Sequence, residues 1–259
     1  MKYGLTSVLF PPRCGGCGAL LTPRCAGMEY SAFCSDCMDV WESELLDSCG
    51  GCGLAVSECA CCAQELVRVH GAGLWKRVYY LQGKKYPPQN RILYKIKRQR
   101  SALCLEFLAA ELERSLEKLI ADTNSDPSLI RLTYFPRSKR SERECGTDQG
   151  KELTRALSRR TSIPWEPIIR RYPRMNTQQK TLSHEGRRRN ALASYYLDPK
   201  ADPVGKIYIL VDDIVTTGST MAAGVRLLRS AGASAVYCLA VAVDDANKNA
   251  TLRQPQFKV

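Results

Sequence analysis

Apolar positions along this chain follow two periods. From Ile207 to Val211 they are continuous and mostly branched, and they stop at Asp212 and Asp213, the pattern of a strand covered on both faces of a parallel sheet. Met221, Ala222, Val225 and Leu228 then return at helical spacing, Gly232 closes that segment, and Ala235 to Val243 is a second continuous apolar run. Strand, helix and strand make a βαβ unit, whose crossover is right-handed. Upstream, Leu129 to Phe135 predicts a strand and Asp148 to Arg160 a helix with Leu153, Ala156 and Leu157 inward. Ile92, Ile96, Leu103, Phe107 and Leu108 lead into a helical stripe through Leu112, Leu116 and Leu119, which is core. Strands alternating with helices predict the α/β class, a parallel sheet with helices on both faces.

Between the first strand and its helix lie Thr216, Thr217, Gly218, Ser219 and Thr220. A small, hydroxyl-rich turn that opens a helix collects free N–H groups and the positive end of the helix dipole, which together cradle a dianionic phosphate. Asp212 and Asp213 sit one strand end away, placed to accept hydrogen bonds from sugar hydroxyls or to help hold a Mg²⁺ that ligates the substrate. Pro136 to Arg140, a short loop with Arg137, Lys139 and Arg140, follows another predicted strand. At the same sheet edge it would hold pyrophosphate.

The amino-terminal part has a different chemistry. Ten of the thirteen cysteines lie between Cys14 and Cys62, and clustered pairs without an export signal favour metal over disulfides. Cys14, Cys17, Cys34 and Cys37 form two Cys-x2-Cys knuckles 16 residues apart, within the range of a four-cysteine zinc ribbon. Cys49, Cys52, Cys59 and Cys62 make a second set, in which Cys61 is an alternative to Cys62. Gly15, Gly16 and Gly18 recur in composition as Gly50, Gly51 and Gly53. The expected organisation is a double zinc ribbon over 1–66, an α/β domain over 67–246 and a polar tail over 247–259. So short a ribbon has little apolar sequence, so metal supplies much of its folding energy. The competing reading, redox-active or buried thiols, bears more on the second, shorter loop.

Charge divides at the same place. Residues 1–66 carry a net −5, so the remainder carries +17 of the total of +12. Tyr79, Tyr80, Tyr86 and Tyr94 interleave with cations including Lys95, Lys97, Arg98 and Arg100. This is either a surface for single-stranded nucleic acid or a solvated basic face with half-packed tyrosines. Arg170 to Asn190, with Arg187, Arg188 and Arg189, is basic, poor in apolar residues and read as a lid-like excursion. His70 and His184, the two histidines, are read as ordinary polar residues. No apolar run reaches transmembrane length and the first residues lack the features of a signal peptide, so the expected location is the cytoplasm, without stable membrane insertion.

The run from Lys206 to Thr220 resembles the phosphoribosyl pyrophosphate motif of type I phosphoribosyltransferases. With the ribbon cysteines, Gln179, Leu182, Ser183, Arg187 and Asn190, and the basic-helix start at Ile92 to Lys97, nearly the whole chain is similar to the ComF competence-protein family. One element departs: Cys145-Gly146-Thr147-Asp148-Gln149 stands where the family usually shows R-G-F-[ND]-Q, so an arginine and an aromatic are missing.

The resemblance implies a type I phosphoribosyltransferase-like sheet plus a Cys-rich zinc-ribbon domain, structural Zn²⁺, and Mg²⁺-phosphoribosyl pyrophosphate as ligand. It places the 5′-phosphate on Thr216 to Thr220, the ribose hydroxyls on Asp212 and Asp213, and pyrophosphate on Arg137, Lys139 and Arg140. It also implies single-stranded DNA and DNA-uptake or recombination proteins as partners. Two functions compete: a competence protein that binds this ligand and DNA, and a phosphoribosyltransferase of nucleotide metabolism with an unidentified acceptor.

Overall fold

The structure, a computed structural model, describes residues 11–22, 30–61, 63–69, 72–81, 87–99, 101–139, 142–143, 146–172 and 194–244. The side chains of Gln64 and of residues 97–99 also lie outside this description. In chain order the helices are α1 (Ser35–Leu45), α2 (Gln64–Val67), α3 (Pro88–Gln99), α4 (Ala102–Thr123), α5 (Gln149–Thr161) and α6 (Ser219–Ser230). The strands are β1 (Leu74–Trp75), β2 (Val78–Tyr80), β3 (Ile130–Tyr134), β4 (Ile169–Arg171), β5 (Tyr195–Leu197), β6 (Ile207–Val215) and β7 (Ala235–Asp244).

β7 and β6 are the central strands of a parallel sheet. β3 lies on the outer side of β6, with Ile130 opposite Ile207. β1 and β2 share the outer side of β7, with Leu74 opposite Cys238 and Val78 opposite Ala242. β4 and β5 form a separate antiparallel pair.

Strand alternation divides the apolar residues between the two sheet faces. Ile207, Ile209 and Val211 join Trp41, Ile92, Leu108, Leu112 and Leu153 in one cluster. Tyr208, Leu210 and Val215 join Leu66, Tyr79, Val225 and Leu228 in the other. Each cluster contains residues from both sides of position 66. Cys14, Phe33 and Trp41 pack in the first with the α4 stripe, and Cys49, Cys59 and Leu66 pack in the second with α6. The cysteine-rich segment therefore supplements its few apolar residues with the core of the sheet.

Several elements differ from expectation for local reasons. β6 does not stop at Val211, because β7 supplies partners as far as Val215, so the acid pair lies inside a strand. The long helical stripe divides into α3 and α4, and the Ser101 side chain accepts from Cys104 N at 3.3 Å to cap the second, as a serine at that position does. The excursion expected from Arg170 begins instead as strand β4, paired with β5. Residues 173–190 of it, and the tail from 247, fall outside the described residues. β1 and β2 are hidden from pattern reading, because Lys76 and Arg77 interrupt the apolar run although both are buried.

Candidate functional site

Three segments meet at the carboxyl edge of the parallel sheet. The first is the acid pair of β6. Asp213 N donates to Asp212 Oδ1 at 2.8 Å, and Ile214 N donates to Asp213 Oδ1 at 2.9 Å. Burial, and then the negative charge of Asp213, push the Asp212 carboxyl well above the usual carboxylate range, as expected when two acids share one site.

The second segment is the turn into α6. Gly218 has φ +81°, a left-handed conformation that strains any side chain, and its backbone lies directly against α2. A Cβ there would meet Leu66 Cβ at 3.1 Å and Leu66 N at 3.2 Å. Thr217 and Ser219 hydroxyls are 2.9 Å apart, Gly218 at the N-cap has no side chain to offer, and Ser219 N donates to Thr217 Oγ1 at 3.4 Å. Beyond that 3.4 Å contact, the first turn of α6 keeps N–H groups for an anion. Thr216 is exposed, and Ser219 and Thr220 lie in the first turn of the helix.

The third segment is the loop after β3. Arg137 Nη2 stands 3.8 Å from Asp213 Oδ2, which brings a cation of this loop to the acid pair. Two residues that pattern reading does not place in the site fix Arg137. Asp148 accepts from Arg137 N at 2.9 Å and from Lys151 N at 3.3 Å, so one carboxylate caps α5 and anchors the loop. Gln149 accepts from Arg137 Nη2 at 2.5 Å and donates to Leu93 O at 3.3 Å, linking α3 to the same guanidinium. Burial pushes the Asp148 carboxyl up. Both belong to the Cys145–Gln149 element, which stands out in the sequence only for its missing arginine; an acid before a helical run is the available signal. Lys139 is exposed, while Arg140 and Cys145 fall outside the described residues. The β4–β5 pair leans on this edge through Tyr195, whose ring centroid is 5.2 Å from that of Phe135 and whose hydroxyl accepts from Arg171 at 3.0 Å.

Away from this edge are two groups of four thiols. Cys14, Cys17, Cys34 and Cys37 form one and Cys49, Cys52, Cys59 and Cys61 the other, the sulfur atoms of each within 4.8 Å of one another. The fourth thiol of the second group is that of Cys61; Cys62 falls outside the described residues. The two knuckles repeat one backbone. Cys14 N donates to Ala19 O and Cys49 N to Leu54 O, both at 2.7 Å, and Gly18 and Gly53 have φ +84° and +76°. In the first, Gly16 N and Cys34 N each donate to Cys14 Sγ at 3.3 Å. Four sulfurs this close together, with backbone donors turned to Cys14 Sγ in the first group, suit a closed tetrahedral Zn²⁺ site, and each group can hold one zinc.

Of the nucleic-acid candidates, one side chain is described. Lys95 is turned onto the first knuckle, its ammonium donating to Cys14 O, and Arg91 donates to Gly16 O at 2.9 Å. Those cations join α3 to the ribbon. Lys97 and Arg98 lie on α3 without described side chains, and Arg100, Arg187, Arg188 and Arg189 fall outside the described residues.

Residues 166–259 match the family model for the phosphoribosyl transferase domain. The DNA utilization protein YhgH of Escherichia coli K12 is 31% identical over 156 residues, covering 59% of this chain and 67% of that protein. The chain belongs to the ComF family. The YhgH of Shigella flexneri is 30% identical over the same shares of both proteins. Among solved structures, Saccharomyces cerevisiae adenine phosphoribosyltransferase is 18% identical, with 62% of this chain and 80% of that chain covered and a TM-score of 0.37. An allosteric regulatory enzyme of purine biosynthesis is 19% identical at a TM-score of 0.33; 52% of this chain is covered, and only 25% of that one. This ComF-family chain has the type I phosphoribosyltransferase-like fold, and its cysteine groups fit a zinc ribbon. No helix among the described residues is long and apolar enough to cross a membrane.

Proposed function

We propose that this ComF-family protein binds Mg²⁺-phosphoribosyl pyrophosphate at the carboxyl edge of its sheet and handles single-stranded DNA. The observation that carries the ligand reading is the convergence of three differently charged parts: the acid pair, the start of α6 and Arg137, 3.8 Å from Asp213. Thr216 to Thr220 take the 5′-phosphate on backbone N–H groups and hydroxyls. Asp212 and Asp213 accept from the ribose hydroxyls. Arg137, Lys139 and Arg140 neutralise the pyrophosphate, and the hydrogen bonds to Gln149 and Asp148 hold Arg137 in place before binding. Mg²⁺, arriving with the ligand, supplies further charge neutralisation on the pyrophosphate.

If pyrophosphate departs, positive charge develops on the ribose. The acid pair is then placed to stabilise it electrostatically, which favours phosphoribosyl transfer to an acceptor as the second reading. DNA handling is supported by the +17 carried by residues 67–259 and by the name of the YhgH relatives. Lys97, Arg98, Arg100 and Arg187 to Arg189 are the cations proposed to carry it, whereas Lys95 is engaged with the ribbon.

Paired titrations test both parts. Calorimetry with phosphoribosyl pyrophosphate and Mg²⁺ is expected to show one saturable site per chain, and an absence of heat with folded protein would remove the ligand reading. Single-stranded oligonucleotide, followed by fluorescence anisotropy, is expected to bind with an affinity that falls steeply as salt is raised from about 50 to about 200 mM, by roughly tenfold or more for a few phosphate contacts. Binding that ignores salt would exclude a phosphate-tracking surface.

A further inference from the structure

Lys76 lies in the link between β1 and β2 and is fully buried. Its ammonium donates to Cys59 Sγ at 2.9 Å, Cys61 O at 3.0 Å, Cys59 O at 3.3 Å and Leu74 O at 3.4 Å. Among the described residues no carboxylate pairs with it. A buried ammonium without an anion is strongly disfavoured, and the thiols around it can supply one as thiolates. Disulfides are neutral and cannot. Four thiolates around Zn²⁺ carry a net charge of −2, half of which Lys76 offsets.

The chain that follows these thiols touches the phosphate loop. Four residues beyond Cys61, Glu65 N donates to Thr217 O at 3.0 Å. Ala63 and Leu66 form the wall that leaves Gly218 no room for a side chain. On the other side, Leu74 N donates to Ala60 O at 3.1 Å, so the thiol group is also fastened to the edge of the sheet. The second cysteine group, α2 and the loop thus form one mechanical series, with Lys76 at its charged end.

We propose that Lys76 is the outer-sphere counter-ion of a zinc tetrathiolate at Cys49, Cys52, Cys59 and Cys61, and that this loaded site holds the phosphate loop in shape through α2. The proposal rests on the reading of Thr216 to Thr220 as a phosphate loop. Its test does not use the ligand, so the failure of either is recognised separately.

The experiment compares full-length wild type, Lys76→Met, Lys76→Arg and Cys52→Ser for zinc content, for zinc release to a chromogenic chelator, and for amide exchange at Glu65 and over residues 216–220. Wild type is expected to hold two zinc ions. In Lys76→Met one of them is released faster by about 10- to 100-fold, the range for loss of an outer-shell partner, while the other keeps its wild-type rate. Exchange at Glu65 and in the loop rises, and Lys76→Arg restores both readouts toward wild type. Cys52→Ser, which removes a half-buried ligand and leaves Lys76 in place, gives the same rise in loop exchange. Unchanged zinc release in Lys76→Met would overturn the counter-ion role, as would mass spectrometry showing disulfides and no second zinc in wild type. Unchanged loop exchange in Cys52→Ser would overturn the mechanical link, also if Lys76→Met fails to fold.

Discussion

Replacing Asp212 and Asp213 together by asparagine is expected to weaken binding of phosphoribosyl pyrophosphate strongly while making the unliganded protein more stable. At about 1.5 kcal/mol for each charge-assisted hydrogen bond, loss of two weakens binding by roughly 100-fold. The stability gain has the opposite origin. Burial and the neighbouring Asp213 raise Asp212 above its ordinary value, so the folded chain holds a proton that the unfolded chain has already released. Stability therefore falls as pH rises from about 4, the unfolded aspartate value, through the higher folded-state value, and it stays lower above that. The amide that replaces the Asp212 carboxyl has no such proton to lose, yet its oxygen can still accept from the backbone N–H of the next residue. At neutral pH the thermal midpoint of the variant should rise by about 2–4 °C for each kcal/mol recovered, and its pH slope should flatten. Calorimetric binding, and thermal scans from about pH 4, near the unfolded aspartate value, up to about pH 8, check both halves. A variant that binds normally, or melts lower at neutral pH, contradicts this account of the acid pair.

Stripping zinc should have the larger structural effect. Structural zinc supplies on the order of 10 kcal/mol of binding free energy in small ribbons. Here that energy reaches beyond the ribbon, because Phe33 and Trp41 pack with Phe107 of α4, at centroid distances of 5.1 and 5.3 Å. Loss of the first knuckle also frees Lys95 and Arg91 from its carbonyls. Dialysis against a strong chelator is expected to lower the melting temperature of the whole chain and to expose tryptophan fluorescence, with recovery on addition of Zn²⁺. A melting curve for the sheet that is indifferent to zinc would show that the shared clusters contribute little.

What could be read in advance depended on how far apart the cooperating residues lie. The strand, acid pair and turn from Ile207 to Thr220 are contiguous, so one pattern contained them. The cysteine knuckles are local for the same reason, and their repeated backbone matches their repeated glycines. Arg137 was recognisable as a loop cation, but its anchors were not. Asp148 and Gln149 reach it across a loop, and nothing in their spacing specifies that they turn toward Arg137. Lys95 shows the converse failure: a cation in a basic stretch reads as a surface charge, and only the packing of α3 on the ribbon reveals its carbonyl partner. Lys76 and Arg77 concealed two strands, since a buried ammonium and the buried Arg77–Glu111 pair, 2.9 Å apart, look in sequence like a solvated turn.

The way the sheet ends bears on how this protein can associate. On the β7 side, β1 and β2 are two and three residues long. Leu74 N is taken by Ala60, and both backbone groups of Leu81, just beyond β2, are taken by the Asn90 side chain at 3.2 and 2.8 Å. On the other side, Leu132 of β3 exchanges hydrogen bonds with Pro164 and Glu166 at 2.9 and 2.8 Å. Short, interrupted or covered edges withhold the template on which another chain could add a strand. Self-association by extension of this sheet, and the aggregation that begins that way, are therefore disfavoured at these positions.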